Sequence, residues 1–185
     1  MKQGAAAIRQ PRIFVKNGIR PGYNEMGTEI EKKWLPKGSE YLNIIKNCRY
    51  CEIEQGYLCT DPVIRVRKED NRYYMTYKGH GTLVREEYNL PLTKESYDAL
   101  IKKCEGRIIR KRRWQVPLPS GLTVEMDEFQ GELEPLVLFE IEFPDRETAE
   151  NYIPPDYFGK NVTEDTRYTN AYLSSAGIDV DTIMC

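Results

Sequence analysis

Charged residues spaced two apart recur along this chain, most with an apolar residue between them, and they constrain the fold more than any other feature. In an extended strand, residues i and i+2 point to the same face. Glu29, Glu31 and Lys33 alternate with Ile30; Arg65 and Arg67 flank Val66; Glu125 and Asp127 flank Met126; Glu140 and Glu142 flank Ile141. Arg85 with Glu87, Lys111 with Arg113, and Lys78 near a strand end bring the set to seven acidic and seven basic residues. The pattern specifies strands that gather charge on one face and keep apolar side chains mostly on the other.

A half-exposed sheet is the commonest cause of such alternation. Here, however, the charged positions are nearly pure Glu, Asp, Arg and Lys, without the Ser, Thr, Gln and Asn of an ordinary solvent face. The signs are also grouped by strand, Arg-Val-Arg in one and Glu-Ile-Glu in another. Grouped like charges raise one another's energy unless something of opposite sign binds among them. Carboxylate clusters suit hard divalent cations such as Mg²⁺ and Mn²⁺, and Arg/Lys clusters suit phosphate oxygens. Both on one face predict a site for metal-bound polyphosphate.

Eight strands are expected, near 28–35, 50–58, 62–69, 72–78, 83–90, 107–116, 122–129 and 135–143. Their short links imply antiparallel pairing, and eight antiparallel strands can close into a barrel without exposed edges. The expected class is therefore mainly β (α+β), a closed eight-stranded barrel with a few peripheral helices. Those helices are expected from Ser39 to Asn47, Thr93 to Cys104, Asp145 to Tyr152 and over 165–175, with Ser39, Thr93 and Asp145 as caps. Tight turns are expected at Glu69-Asp70-Asn71 and at Pro117–Gly121.

The bulk properties narrow the partners. The 185 residues suit one domain, and a net charge of −2 offers no basic excess for nucleic acid. No apolar run approaches the roughly 20 residues a membrane span needs. Five cysteines, an odd number, with no signal peptide ahead of them read as reduced thiols in a cytoplasm. Residues 1–26 carry Lys2, Arg9, Arg12, Lys16 and Arg20 against Glu25, without a sustained period. They read as a basic, loosely ordered extension to a domain over 27–185, with Met26 as an alternative start. His80, the single histidine, reads as a loop residue.

The ordered motifs resemble a known family. Glu29-Ile30-Glu31-Lys32-Lys33 is followed by Gln55-Gly56-Tyr57-Leu58, Ile64-Arg65-Val66-Arg67, Tyr77-Lys78-Gly79, Glu87-Tyr88-Asn89-Leu90-Pro91, Lys111-Arg112-Arg113-Trp114, Glu125–Phe129, Phe139–Glu142 and Val162–Tyr168 with Asn170. Together these resemble the CYTH superfamily, the triphosphate tunnel metalloenzymes, over about Gly27 to Ser174. The resemblance implies an eight-stranded tunnel with its charges pointing inward, and hydrolysis of a small-molecule triphosphate, foremost inorganic tripolyphosphate, with Mg²⁺ or Mn²⁺. By the same resemblance Lys33, Arg65, Arg67, Lys78, Arg85, Lys111 and Arg113 hold phosphate oxygens. Glu29, Glu31, Glu125, Asp127, Glu140 and Glu142 hold metal, and Glu31, Glu87 and Lys33 carry the catalysis, with Glu31 or Glu87 orienting water. Asn89 departs from the Glu frequent at that place in the family. Class IV-like adenylate cyclase, thiamine or nucleoside triphosphatase, and a non-catalytic polyphosphate-binding module stay open as alternatives. So does the oligomeric state, monomer or homodimer.

Overall fold

The structure is a computed structural model, and it describes residues 30–79, 87–175 and 177–184. One sheet organises them. Its strands are β1 (Ile30–Pro36), β2 (Tyr50–Thr60), β3 (Val63–Glu69), β4 (Arg72–Lys78), β5 (Glu87–Pro91), β6 (Glu105–Pro117), β7 (Thr123–Phe129), β8 (Val137–Phe143) and β9 (Phe158–Asn161). Their order across the sheet is β5-β4-β3-β2-β6-β7-β8-β1-β9, and the neighbours run antiparallel. The short β9, absent from the sequence expectation, pairs with β1. Among the described residues no pairing joins β5 to β9, so the pairing itself does not close a barrel.

The turns follow their residues. Glu69 pairs with Arg72, leaving Asp70-Asn71 as a two-residue hairpin loop. Asp70 sits at φ 51, in the left-handed region that Asp tolerates better than most residues. The β6–β7 hairpin turns at Gly121, φ 83, whose N–H donates to Leu118 O at 2.9 Å. Helix α2 (Lys94–Ile101) is capped by Thr93 and α3 (Arg146–Glu150) by Asp145; each side chain accepts a backbone N–H of the first turn. Helix α1 (Tyr41–Ile45) is shorter than expected, and Glu40 precedes it without a side-chain cap bond. The helix expected over 165–175 is a 3₁₀ turn at Thr166–Tyr168 followed by α4 (Asn170–Leu173), and α5 (Val180–Met184) lies beyond it.

Two apolar clusters hold the sheet. On one face Trp34, Trp114, Met126, Phe139, Ile141 and Phe143 pack with Ile45 of α1, Ala149 of α3 and Phe158 of β9. At one end of the opposite face Tyr57, Ile109, Phe129 and Leu138 pack under Tyr168, Leu173, Val180 and Ile183. Gly56 lets β2 pass close to the end of α2, because a Cβ there would lie 2.8 Å from Cys104 Sγ. The rest of that second face carries the charged residues, with a few neutral ones among them.

Candidate active site

Strand register brings the predicted charges to a single face. Glu31 stands opposite Glu142 and Lys33 opposite Glu140 across β1–β8. Glu125 faces Glu140 across β7–β8, and Arg113 faces Asp127 across β6–β7. Lys111 pairs with Ile53, two residues from Gln55 on β2, and Gln55 in turn faces Arg67. Arg65 and Arg67 face Thr76 and Tyr74, and position 87 pairs with Lys78. Glu29, His80 and Arg85 lie outside the described residues, as do residues 1–26 and the side chain of Glu87.

Contacts knit half of these residues into one network. Lys33 Nζ donates to the Glu31 carboxylate and, at 2.7 Å, to Glu140 Oε1. Arg113 reaches three carboxylates: Nε donates to Asp127 Oδ1 at 2.6 Å, Nη2 to Glu140 Oε2 at 2.7 Å, and Nη1 to Glu125. Lys111 Nζ donates to Asp127 and, at 3.3 Å, to Asn170 Oδ1. Arg65 and Arg67 stand apart from these carboxylates. Arg65 Nη2 donates to Thr76 Oγ1 at 3.1 Å, and Thr76 to Asn89 Oδ1 at 2.7 Å.

The charges are deeply buried, Lys111 and Asp127 to 0% exposure. Burial alone would raise the Asp127 and Glu140 carboxyls. Arg113 and Lys111 outweigh it at Asp127, and Lys33, Lys111 and Arg113 outweigh it at Glu140, so both sit below the usual carboxylate range. At Lys33 burial pulls the ammonium down, but Glu140 and Glu31 prevail and hold it above its ordinary value. Lys111 goes the other way. Burial, then Arg113, bring it down to about 8, because the surrounding carboxylates only partly compensate for full enclosure beside other cations.

The acidic residues are hard oxygen donors set opposite one another in pairs, which suits a cation such as Mg²⁺ or Mn²⁺ in donor chemistry. Among the described residues, no three His, Cys, Asp or Glu groups converge as a metal site. The carboxylates turn instead onto Lys33, Lys111 and Arg113.

Sequence reasoning missed the neutral members of this face: Gln55, Tyr74, Thr76 and Asn170 contact its cations. Gln55 and Asn170 stood in the motif runs without a role, whereas Tyr74 and Thr76 had no signal but their place directly opposite Arg67 and Arg65. Among the strand aromatics, Trp114 belongs to the cluster on the other face and Tyr73 packs on Tyr97 with centroids 5.2 Å apart. Tyr57 is buried at the apolar end of the charged face.

An antiparallel sheet with interleaved carboxylates and cations buried on one face defines a class of charged-interior β proteins. Within it, this chain belongs to the CYTH domain family, which matches residues 27–154. It is 38% identical over 154 residues to an inorganic triphosphatase of Nitrosomonas europaea, spanning 80% of this chain and 97% of that protein. It is 39% identical over 153 residues to an inorganic triphosphatase of Acetivibrio thermocellus, spanning 80% of this chain and 94% of that one. A crystal structure of an inorganic triphosphatase matches with a TM-score of 0.61 at 36% identity, covering 82% of this chain and 97% of that structure. Among the described residues no helix is long and apolar enough to cross a membrane.

Proposed function

We propose that this chain hydrolyses inorganic tripolyphosphate to pyrophosphate and orthophosphate with Mg²⁺ or Mn²⁺. Residues 27–185 form the catalytic domain and 1–26 a basic extension. The sheet curls around its charged face into an eight-stranded tunnel. Supporting this, Gln55, Thr76 and Asp127 are fully buried on a face where the C-terminal helices pack on the apolar end and reach Lys111 through Asn170.

The observation that carries the reading is the buried convergence of Lys33, Lys111 and Arg113 with Glu31, Glu125, Asp127 and Glu140 on that one face. Lys33, Arg65, Arg67, Lys78, Arg85, Lys111 and Arg113 grip phosphate oxygens and hold the chain in line. Glu29, Glu31, Glu125, Asp127, Glu140 and Glu142 hold the divalent cation. When bound, that cation neutralises charge developing on the phosphate oxygens and acidifies water. Glu31 or Glu87 orients a water toward the terminal phosphorus and accepts its proton. The bridging P–O bond breaks, and the negative charge gathered on the leaving pyrophosphate is stabilised by Lys33 and the guanidinium groups.

A substrate panel tests this. Tripolyphosphate, ATP and thiamine triphosphate are supplied with Mg²⁺ or Mn²⁺, and orthophosphate and cyclic AMP are measured. Phosphate release fastest from tripolyphosphate and abolished by EDTA is the expected outcome. Cyclic AMP as the main product, or release unaffected by EDTA, contradicts it.

A further inference from the structure

Arg67 differs from Lys33, Lys111 and Arg113. The residue is 8% exposed, yet among the described residues it forms no ion pair. Neutral acceptors hold it instead. Its Nε donates to Gln55 Oε1 at 2.8 Å, and its Nη1 to the Tyr74 hydroxyl oxygen at 3.3 Å. Gln55 is fully buried, and because Arg67 can only donate, the amide must present its oxygen to Arg67. Its nitrogen then faces the Tyr57 hydroxyl at 3.4 Å. The Tyr74 hydroxyl donates to Glu69 Oε2 at 2.9 Å, which leaves its lone pairs for Arg67. Glu69 is already engaged by Arg72 at 2.6 Å, so its charge stays one residue removed from the guanidinium.

Burying an arginine without a carboxylate is costly unless an anion arrives. Lys33, Lys111 and Arg113 must surrender carboxylates to meet a phosphate, whereas Arg67 has none to surrender. We propose that Gln55 and Tyr74 are positioning residues that fix Arg67 by neutral hydrogen bonds, keeping its charge uncancelled for a phosphate oxygen of the substrate. This rests on the triphosphatase reading and gives a role to the Gln55 of the Gln55-Gly56-Tyr57 run. A carboxylate at 55 would hold the guanidinium equally well but cancel its charge.

The test uses the full chain, with steady-state kinetics on tripolyphosphate at saturating Mg²⁺ and calorimetric binding of tripolyphosphate. Gln55→Glu changes little but charge, and it should raise KM and Kd about tenfold or more, the scale of one charge-assisted hydrogen bond, with kcat within about threefold. Tyr74→Phe should raise KM by a smaller factor, about threefold. In an Arg67→Ala background Gln55→Glu should add nothing, since Gln55 acts through Arg67. An unchanged KM and Kd in a Gln55→Glu protein with native thermal midpoint would overturn the proposal. So would an equal rise in the Arg67→Ala background. If the wild-type chain neither binds nor hydrolyses tripolyphosphate, the functional reading itself fails. If it does both and only the Gln55→Glu result is absent, the positioning role alone is wrong.

Discussion

Strand β6 carries Arg110, Lys111, Arg112 and Arg113 in a row, and its two faces treat the same chemistry in opposite ways. Arg110 and Arg112 point outward, 60% and 40% exposed at the side chain, to Glu54 at 2.8 Å and Glu128 at 3.8 Å. Lys111 and Arg113 point inward, where three carboxylates compete for them and solvent is nearly excluded. The outer pairs are local, screened by water and worth little. The inner set forms a coupled network whose members cannot be removed singly without stranding a buried charge. A strand can therefore look uniformly basic while its alternate residues enter opposite environments.

The largest expected contrast is kinetic. Arg113→Ala should lower turnover of tripolyphosphate by at least about 10²-fold, the scale of losing one transition-state donor, as measured by phosphate release. Next comes stability. Asp127→Ala leaves Lys111 buried without its carboxylate and should cost about 3–5 kcal/mol, read from urea denaturation. A cost near zero would mean that the inner face is wetter than the structure shows. The acid limb comes third. Asp127 and Glu140 titrate lower folded than unfolded, so the stability they contribute is complete above about pH 4.5 and lost as pH falls through their lowered folded values. The thermal midpoint of the wild type should therefore drop more steeply in acid than that of Glu140→Gln, and parallel curves would show that Glu140 is not ion-paired. The smallest effect belongs to the outer face. Arg110→Ala and Arg112→Ala should each change stability by no more than about 0.5 kcal/mol and leave turnover intact.

The same contrast explains what could be foreseen. The inward set was legible because its charges sit two apart and are grouped by sign: Arg65 with Arg67, Glu140 with Glu142. Arg110 and Arg112 share that spacing, and only their neighbours in the pairing distinguish them, since Arg112 faces Glu128 on an exposed surface. Most strands and the capped starts of α2 and α3 followed from alternation and from Thr93 and Asp145. The four-residue β9 was not legible, because Phe-Gly-Lys-Asn has no alternation and becomes a strand only by lying against β1. Gln55 and Tyr74 escaped for a similar reason. A neutral side chain declares its role only once the register sets it opposite Arg67.

The central claim is that the inner face of this sheet, and not its outer face, handles the triphosphate. The most direct measurement is phosphate release from inorganic tripolyphosphate with Mg²⁺ by Arg113→Ala and Arg112→Ala side by side, at equal concentrations of folded protein. The account predicts that Arg112→Ala matches the wild type while Arg113→Ala falls by about 10²-fold or more. Equal activity in the two variants, both folded, would contradict it.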